Sequence, residues 1–312
     1  MKEINIIPPV DRALLKGELT PDRFLRHTNN ADNLIYVINN HNAPNVMAEI
    51  GRLRELSFRM AGGGTGKSVD VDQYDTAPVP YEQLIVWDPQ AEEILGGYRF
   101  IFCPKAEKGP DNTPKLATRG LFHFSDTFIK DYLPDTIELG RSFVQPAYQP
   151  SRDNRKSIYS LDNLWDGLGA LIIDYPQVKY FFGKVTMYTS YNQKARDLIL
   201  YFLNCFFPDP DNLVRPIEPL PYHYPLGELE QVFTGQTVEE NLKILSQTVR
   251  SLKENIPPLI NSYMGLSPSM KTFGTALNNN FGGVEETGIL VTIDDIFPWK
   301  KERHVNTYLD QK

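Results

Sequence analysis

Apolar positions recur at spacings of three and four across residues 45–59, where Val46, Ile50, Leu53 and Ser57 share a face, and this predicts a helix behind Pro44. The same period predicts helices over 161–175, with Leu161, Leu164, Leu168 and Leu171 in register, over 192–206, and over 238–255, which is amphipathic. Short β-rich runs predict strands at 34–38, 81–87, 94–102, 137–144, 180–186 and 288–293. Asp88-Pro89-Gln90 turns the second of these into a hairpin with the third, and Gly96-Gly97 marks a bulge. A short helix is expected at 122–131, and the proline-rich stretch 208–225 is expected to be irregular. A hairpin followed by alternating helices and strands implies a single α/β domain on a mixed sheet.

The 312 residues carry a formal net charge of −7, which offers no general basic surface for nucleic acid. The apolar runs at 171–173 and 198–207 fall short of the ~20 residues a membrane span needs. The start, Met1-Lys2-Glu3-Ile4-Asn5, lacks a signal peptide's apolar centre, so a cytoplasmic location is expected. Cys103 and Cys205 make no metal or redox spacing. His27, His41, His123, His223 and His304 are not spaced to hold a metal, and no metal site is expected. His27 and His41 are expected at the surface, and His123, between two phenylalanines, in the core. No Gly-x-Ser-x-Gly elbow supports a serine hydrolase.

Ala61 to Ser68 nearly spells a phosphate-binding loop. The context fails: an Arg-rich helix enters it, and Asp70, Asp72 and Asp75 follow where phosphate would be repelled. The segment is expected to be a flexible lid or turn.

Four pieces carry candidate chemistry. Arg54 and Phe58 lie one helical turn apart, Asp70, Asp72 and Asp75 cluster beside Tyr74, Gly97-Tyr98-Arg99 ends a hairpin, and Glu138 with Arg141 opens a strand. Taken by themselves, acids and arginines on neighbouring strands make either a charged site or a structural ion-pair network. Their order and spacing resemble the acyl-homoserine-lactone synthase branch of the GNAT superfamily, and more closely the N-acyl amino acid synthases of ornithine and glycine lipids, a group sometimes labelled haemolysin-like. The resemblance covers 45–150 and extends more weakly to 207, with a last echo in Pro257-Pro258-Leu259-Ile260, Tyr263 and Gly265.

That resemblance implies a mostly antiparallel, twisted GNAT-like sheet flanked by helices over the whole of 1–312. A proline-rich and helical insertion would fall at about 208–256, with closing strands at about 257–296 forming a C-terminal extension. It implies transfer of a fatty acyl group, 3-hydroxylated or plain, from an acyl carrier protein thioester to a small amino acid such as glycine or ornithine, for lyso-lipid synthesis. No permanently bound cofactor is implied. Glu138 would act as general base, Arg99 and Arg141 would grip the acceptor carboxylate, and Asp72 and Asp75 would orient those arginines or the ammonium. Arg54 and Phe58 would border the substrate. A backbone N–H near Phe143 or Val144 would meet the oxyanion.

The segment before the Leu161 helix departs from the glycine-rich coenzyme A loop of typical GNAT enzymes. It carries Arg152, Arg155 and Lys156 instead, suited to one phosphate of a phosphopantetheine arm and to docking an acidic carrier protein; a solvated loop is the alternative. Coenzyme A remains a second donor. Aromatic residues at 180–182 and 202–207, with Leu200, supply either an acyl tunnel or ordinary core. Trp299-Lys300-Lys301 offers either plain surface or loose contact with the inner face of the membrane. Two other functions fit the same residues: an acyl-homoserine-lactone-type synthase, for which no S-adenosylmethionine site is evident, and a non-catalytic acyl- or carrier-binding protein.

Overall fold

The computed structural model describes residues 4–110, 112–149 and 159–312. Its frame is an eight-stranded sheet in the order β1-β2-β3-β4-β6-β7-β10-β9. The strands are β1 (Phe24–His27), β2 (Leu34–Ile38), β3 (Glu82–Asp88), β4 (Glu93–Phe102), β6 (Thr136–Val144), β7 (Tyr180–Met187), β9 (Lys271–Asn278) and β10 (Val284–Thr292). Neighbours are antiparallel except β6 and β7, which run parallel. Apart from the sheet, β5 (Phe122–Phe124) pairs with β8 (Val214–Pro216).

Helices cover both faces. On one lie α1 (Arg12–Glu18) and α2 (Pro44–Met60), with the short α3 (Gln73–Thr76) beyond the loop that follows α2. On the other lie α4 (Ser160–Asp174), α5 (Gln193–Phe206), α6 (Leu226–Glu230), α7 (Val238–Ser251) and α8 (Pro258–Met264). Strand alternation sorts the core between them. Leu84 and Val86 join Tyr98, Phe100, Phe181, Ile289 and Val291 on the α4–α8 face. Ile85 and Trp87 pack with α2, and on the same face Ile101 and Phe182 pack with Phe122, Phe128 and Phe273. Central strands buried on both sides explain why 81–87 and 94–102 read as nearly unbroken apolar runs.

The predicted helices and strands appear with small shifts, and α7 stops at Ser251 rather than 255, where Lys253 takes a φ of 63°. Three expectations need correction. Residues 122–124 form a strand, not the start of a helix, because β8 of the proline-rich stretch supplies their backbone partner. His123 is consequently exposed, its strand burying Phe122 instead. Of the closing strands expected at about 257–296, the residue pattern marked only 288–293; β9 was not placed, because its first residues, Lys271-Thr272-Phe273-Gly274, alternate poorly and it lies at the edge of the sheet. His27 and His41 are exposed as expected.

Candidate functional site

Parallel pairing of β6 with β7 runs from Thr136–Tyr180 to Leu139–Gly183 and then stops, although β6 continues to Val144 and β7 to Met187. The strands part, and a cavity of about 340 Å³ opens between them. Gly183 makes the last pairing possible: a Cβ there would lie 2.5 Å from the Leu139 carbonyl oxygen.

A bulge prepares the same spot. Gly97 pairs with Phe143 but Arg99 pairs with Gly140, so β6 carries one residue more than β4. The extra residue inverts the alternation. Leu139 packs on the α4–α8 face, yet Phe143, four positions on, packs with α2. Arg141 takes a left-handed φ of 48° at the bulge. Such a conformation costs about 1–3 kcal/mol for a side-chain-bearing residue and persists only where its surroundings hold it. Here Asp70 holds it, 2.8 Å from Arg141 Nε, together with the Phe281 ring 4.2 Å from the guanidinium carbon. The expected bulge at Gly96-Gly97 is present on the β3 side too, where the register shifts between Val86 and Trp87. Both glycines are needed: a Cβ on Gly96 would meet Phe143 O at 2.4 Å, and one on Gly97 would meet Leu84 O at 2.7 Å.

Because it fills a split, the cavity crosses the sheet. On the α2 face it is lined by charged side chains: Arg99, Glu138, Arg141, Lys184 and Glu286. On the other face it is lined by Phe181, Val185, Ile289 and Val291 of the strands and by Pro257, Pro258, Leu259 and Tyr263 at α8.

Residues 53–155 match the acetyltransferase (GNAT) domain. The chain is 57% identical over 306 residues to a glycine N(alpha)-acyltransferase of Bacteroides thetaiotaomicron, covering 98% of this chain and 91% of that protein. It is 53% identical over 307 residues to a glycine N(alpha)-acyltransferase of Phocaeicola vulgatus, covering 98% and 94%. It belongs to the GNAT acyltransferases. No solved structure matches the chain.

In this acyltransferase the acids of the 70–75 run serve the arginines. Asp72 caps α3 by accepting from the Tyr74 and Asp75 N–H groups, and Asp75 returns the bond to the Asp72 N–H. The cap fixes both carboxylates for a second task. Arg99 Nη1 donates to both Asp72 oxygens at 2.8 Å and to Asp75 Oδ2 at 3.3 Å. Arg141 Nη2 lies 3.5 Å from Asp72. Burial alone would raise the Asp72 carboxyl, but Arg99 and Arg141 overcome it and hold the group well below the usual carboxylate range. Burial likewise works against the charge of Arg99, and Asp75 and Asp72 more than restore it. The Arg99 guanidinium also stands over the rings of Tyr81 and Tyr74, at 5.1 and 5.7 Å.

Arg54, expected to border the substrate, and Asp72 and Asp75, expected to orient the arginines or the acceptor ammonium, stand behind the residues that line the cavity. Arg54 is fully buried and donates to Asp75 and to the Gln83 amide, a strut behind Arg99. Its position on α2, next to the apolar face rather than opposite it, follows from pairing with those partners. Phe58, Phe143 and Val144 do line the cavity. Arg152, Arg155 and Lys156 lie outside the described residues.

Glu138 reaches the wall with both oxygens occupied. Oε1 accepts from Thr118 N–H at 3.0 Å and the Thr118 hydroxyl at 2.5 Å, and Oε2 from Ala117 N–H at 3.2 Å and the Tyr81 hydroxyl. Of the residues offered as tunnel walls, Phe181 and Phe182 line the cavity, while Leu200, Phe202, Leu203 and Phe207 are core among the helices.

Three participants were given no role from the sequence. Lys184 and Glu286 form a buried ion pair, set up because Glu286 pairs with Thr186, placing Lys184 two residues along on the same face. Burial pushes the Lys184 ammonium down and Glu286 opposes that shift, while the charges of Arg141 and Arg99 add to it. The third is Tyr98, buried at 2% exposure, whose hydroxyl lies beside the Ser142 and Tyr263 side chains. All three border the cavity, from β4, β7 and β10, and no local pattern specifies that β7 and β10 pair.

The glycine loop behaves as its context implied. The Thr65 and Gly66 N–H groups and the Thr65 hydroxyl all donate to the Glu55 carboxylate, which Arg59 also binds. The donors that would cradle a phosphate are filled by the chain's own anion. The loop is a tied turn: Gly63 packs against the turn between β9 and β10, where a Cβ on Gly282 would lie 2.9 Å from Gly63 Cα. Among the described residues no group of three or more histidine, cysteine or acidic side chains is placed to hold a metal, and no helix is long and apolar enough to cross a membrane.

Proposed function

We propose that this acyltransferase moves a fatty acyl group from an acyl carrier protein thioester to the amine of glycine. The observation that carries this reading is a cavity crossing the sheet at the β6–β7 split, charged on one face and apolar on the other. A thioester carbonyl at the split would send its acyl chain toward Phe181, Ile289, Val291 and α8, and would face the amino acid on the charged side. Glycine is favoured as acceptor by the names of the two relatives, ornithine being the alternative.

Arg141 would grip the acceptor carboxylate, its stacked guanidinium bordering the cavity between Asp70 and Phe281. Arg99, held by two carboxylates, would brace it. The oxyanion donor would be Val144 N–H. Gln145 N–H bonds back to Leu95 O of β4 at 2.9 Å, so alternation turns the Val144 N–H toward the edge that β7 has left. Arg152, Arg155 and Lys156, ahead of α4, would bind the phosphate of the carrier's arm and the acidic carrier itself. The Tyr98 hydroxyl, at the cavity beside Ser142 and Tyr263, would accept from or donate to a 3-hydroxyl on the acyl chain. The product is an amphiphile suited to lyso-lipid synthesis in the cytoplasm at the membrane surface. Trp299, 55% exposed with Lys300 over its ring, is a contact point for that surface.

The test supplies 3-hydroxypalmitoyl-carrier protein, palmitoyl-carrier protein or the coenzyme A thioesters with a mixture of amino acids, and identifies N-acyl products by mass spectrometry. N-acylglycine formed fastest from the hydroxylated carrier thioester is the expected result. In Tyr98→Phe the preference for the hydroxylated donor should fall several-fold. Thioester bound but no amide from any amine would overturn the reading.

A further inference from the structure

Acyl transfer to an amino acid at neutral pH needs a proton acceptor, because the amine arrives as an ammonium ion. Two carboxylates border the cavity on its charged face, Glu138 and Glu286. They differ in what their oxygens already do. Four donors converge on Glu138, two on each oxygen. An incoming proton there would have to displace one of these donors, of which the Ala117 N–H also reaches the Tyr81 hydroxyl oxygen at 3.1 Å while Oε1 holds both the N–H and the hydroxyl of Thr118. Glu286 is asymmetric. Its Oε2 takes the Lys184 ammonium and the Asn278 amide, the latter at 3.0 Å, whereas among the described residues Oε1 has only the Thr186 hydroxyl at 3.4 Å. One oxygen is anchored and the other has lone-pair capacity left. The residue is 2% exposed, so the space that Oε1 can serve is the cavity rather than bulk water.

We infer that Glu286 is the proton acceptor of the reaction and that Lys184 is the positioning residue that holds it charged and oriented. The role rests on acyl transfer to an amine, as proposed above. The acceptor ammonium gives one proton to Glu286 Oε1. The freed nitrogen lone pair forms the C–N bond at the thioester carbonyl while the carbonyl π pair moves onto oxygen. When that pair returns, the C–S bond breaks, and sulfur leaves with the bonding pair and takes the second proton from nitrogen. Glu286 then passes its proton to water. The products are an N-acyl amino acid, a free thiol and one proton. Arg141 stands near enough for its charge to bear on Lys184, so the acceptor's carboxylate and ammonium would have their partners side by side.

The deciding comparison uses two acceptors, glycine and hydroxylamine, the latter already neutral at pH 7 and needing no base before attack. Wild type, Glu286→Gln and Glu286→Asp are assayed with the same acyl thioester, and thermal melting shows each variant folded. In Glu286→Gln, kcat with glycine should fall by about 100-fold or more with KM for the thioester unchanged, while turnover of hydroxylamine stays within a few-fold of wild type. Glu286→Asp, which keeps a carboxylate one methylene short, should recover part of the glycine rate. Equal loss with both acceptors, or full glycine turnover in Glu286→Gln, would overturn the assignment. A wild type that acylates neither acceptor would instead overturn the acyl-transfer reading itself.

Discussion

Gly183 touches Leu139 at the point where the sheet divides, with room for a hydrogen but not a methyl group beside the Leu139 carbonyl. The pair is the hinge line of the site. From Thr136 to Leu139 β6 is paired with β7, with Glu138 and Leu139 at the cavity's edge, and Gly140 to Val144 beyond them line the cavity. Gly183→Ala should therefore push β6 and β7 apart one step early. The expected cost is about 1–3 kcal/mol of stability, as for other overpacked positions, seen as a lower Tm. Acyl transfer should fall more steeply than the Tm shift explains.

Glu138 should behave as a structural anchor. A glutamine there would direct its NH2 group at a backbone N–H, that of Thr118 or of Ala117, replacing an acceptor with a donor at a buried site at a cost of about 1–3 kcal/mol. Glu138→Gln should lower the Tm clearly and reduce turnover of glycine and hydroxylamine together. A selective loss of glycine turnover in a normally stable Glu138→Gln protein would transfer the proton-accepting role to Glu138.

The Asp72 pair gives stability a defined acid limb. The native carboxyl is held below its ordinary value of 3.8, so the unfolded chain binds the proton first as pH falls. The stabilisation is complete above about pH 4 and is lost progressively below it. Wild type should be more stable than Asp72→Asn at pH 7, and the gap in melting temperature should close as the pH drops through 4 toward 2. A gap that stayed constant over that range would contradict the ion-pair account.

Glu55 ties the glycine loop, and the loop supports the β9–β10 turn whose Phe281 ring carries Arg141. Burial pushes the Glu55 carboxyl up, but Arg59, Thr65 and Gly66 outweigh it and keep the charge favoured. Glu55→Ala should cost about 3–5 kcal/mol, the range for breaking one side of a buried pair, measured by denaturant titration. Nucleotide triphosphates should not shift the melting temperature of the wild-type protein, since the loop's N–H donors are already engaged.

The parts of the site legible along the chain were those whose partners are close in sequence. The spacing of Val46, Ile50, Leu53 and Ser57 marks the buried face of α2, and Gly96-Gly97 marks a bulge. The order Arg54, Asp72, Asp75, Arg99, Glu138, Arg141 is a linear record of one charged cluster. What that order could not separate was wall from scaffold. Arg54 and Asp75 are struts, and Arg141 is at the wall, because a single extra residue in β6 reverses which side faces the sheet. Phe122-His123-Phe124 became a strand because of Val214–Pro216, some ninety residues later, and nothing within the segment announces that partner.

Local physics along the chain thus determined the helices, most strands, the acidic cap of α3 and the failure of the near-P-loop, since periodicity, capping and charge order act over a few residues. Only the tertiary structure decided which carboxylate is free to take a proton. Lys184 and Glu286 are separated by a hundred residues of chain and meet only because β7 and β10 pair in one register. A shift of one residue in that register would turn Glu286 to the opposite face, among Phe181, Ile289 and Val291, and away from Lys184.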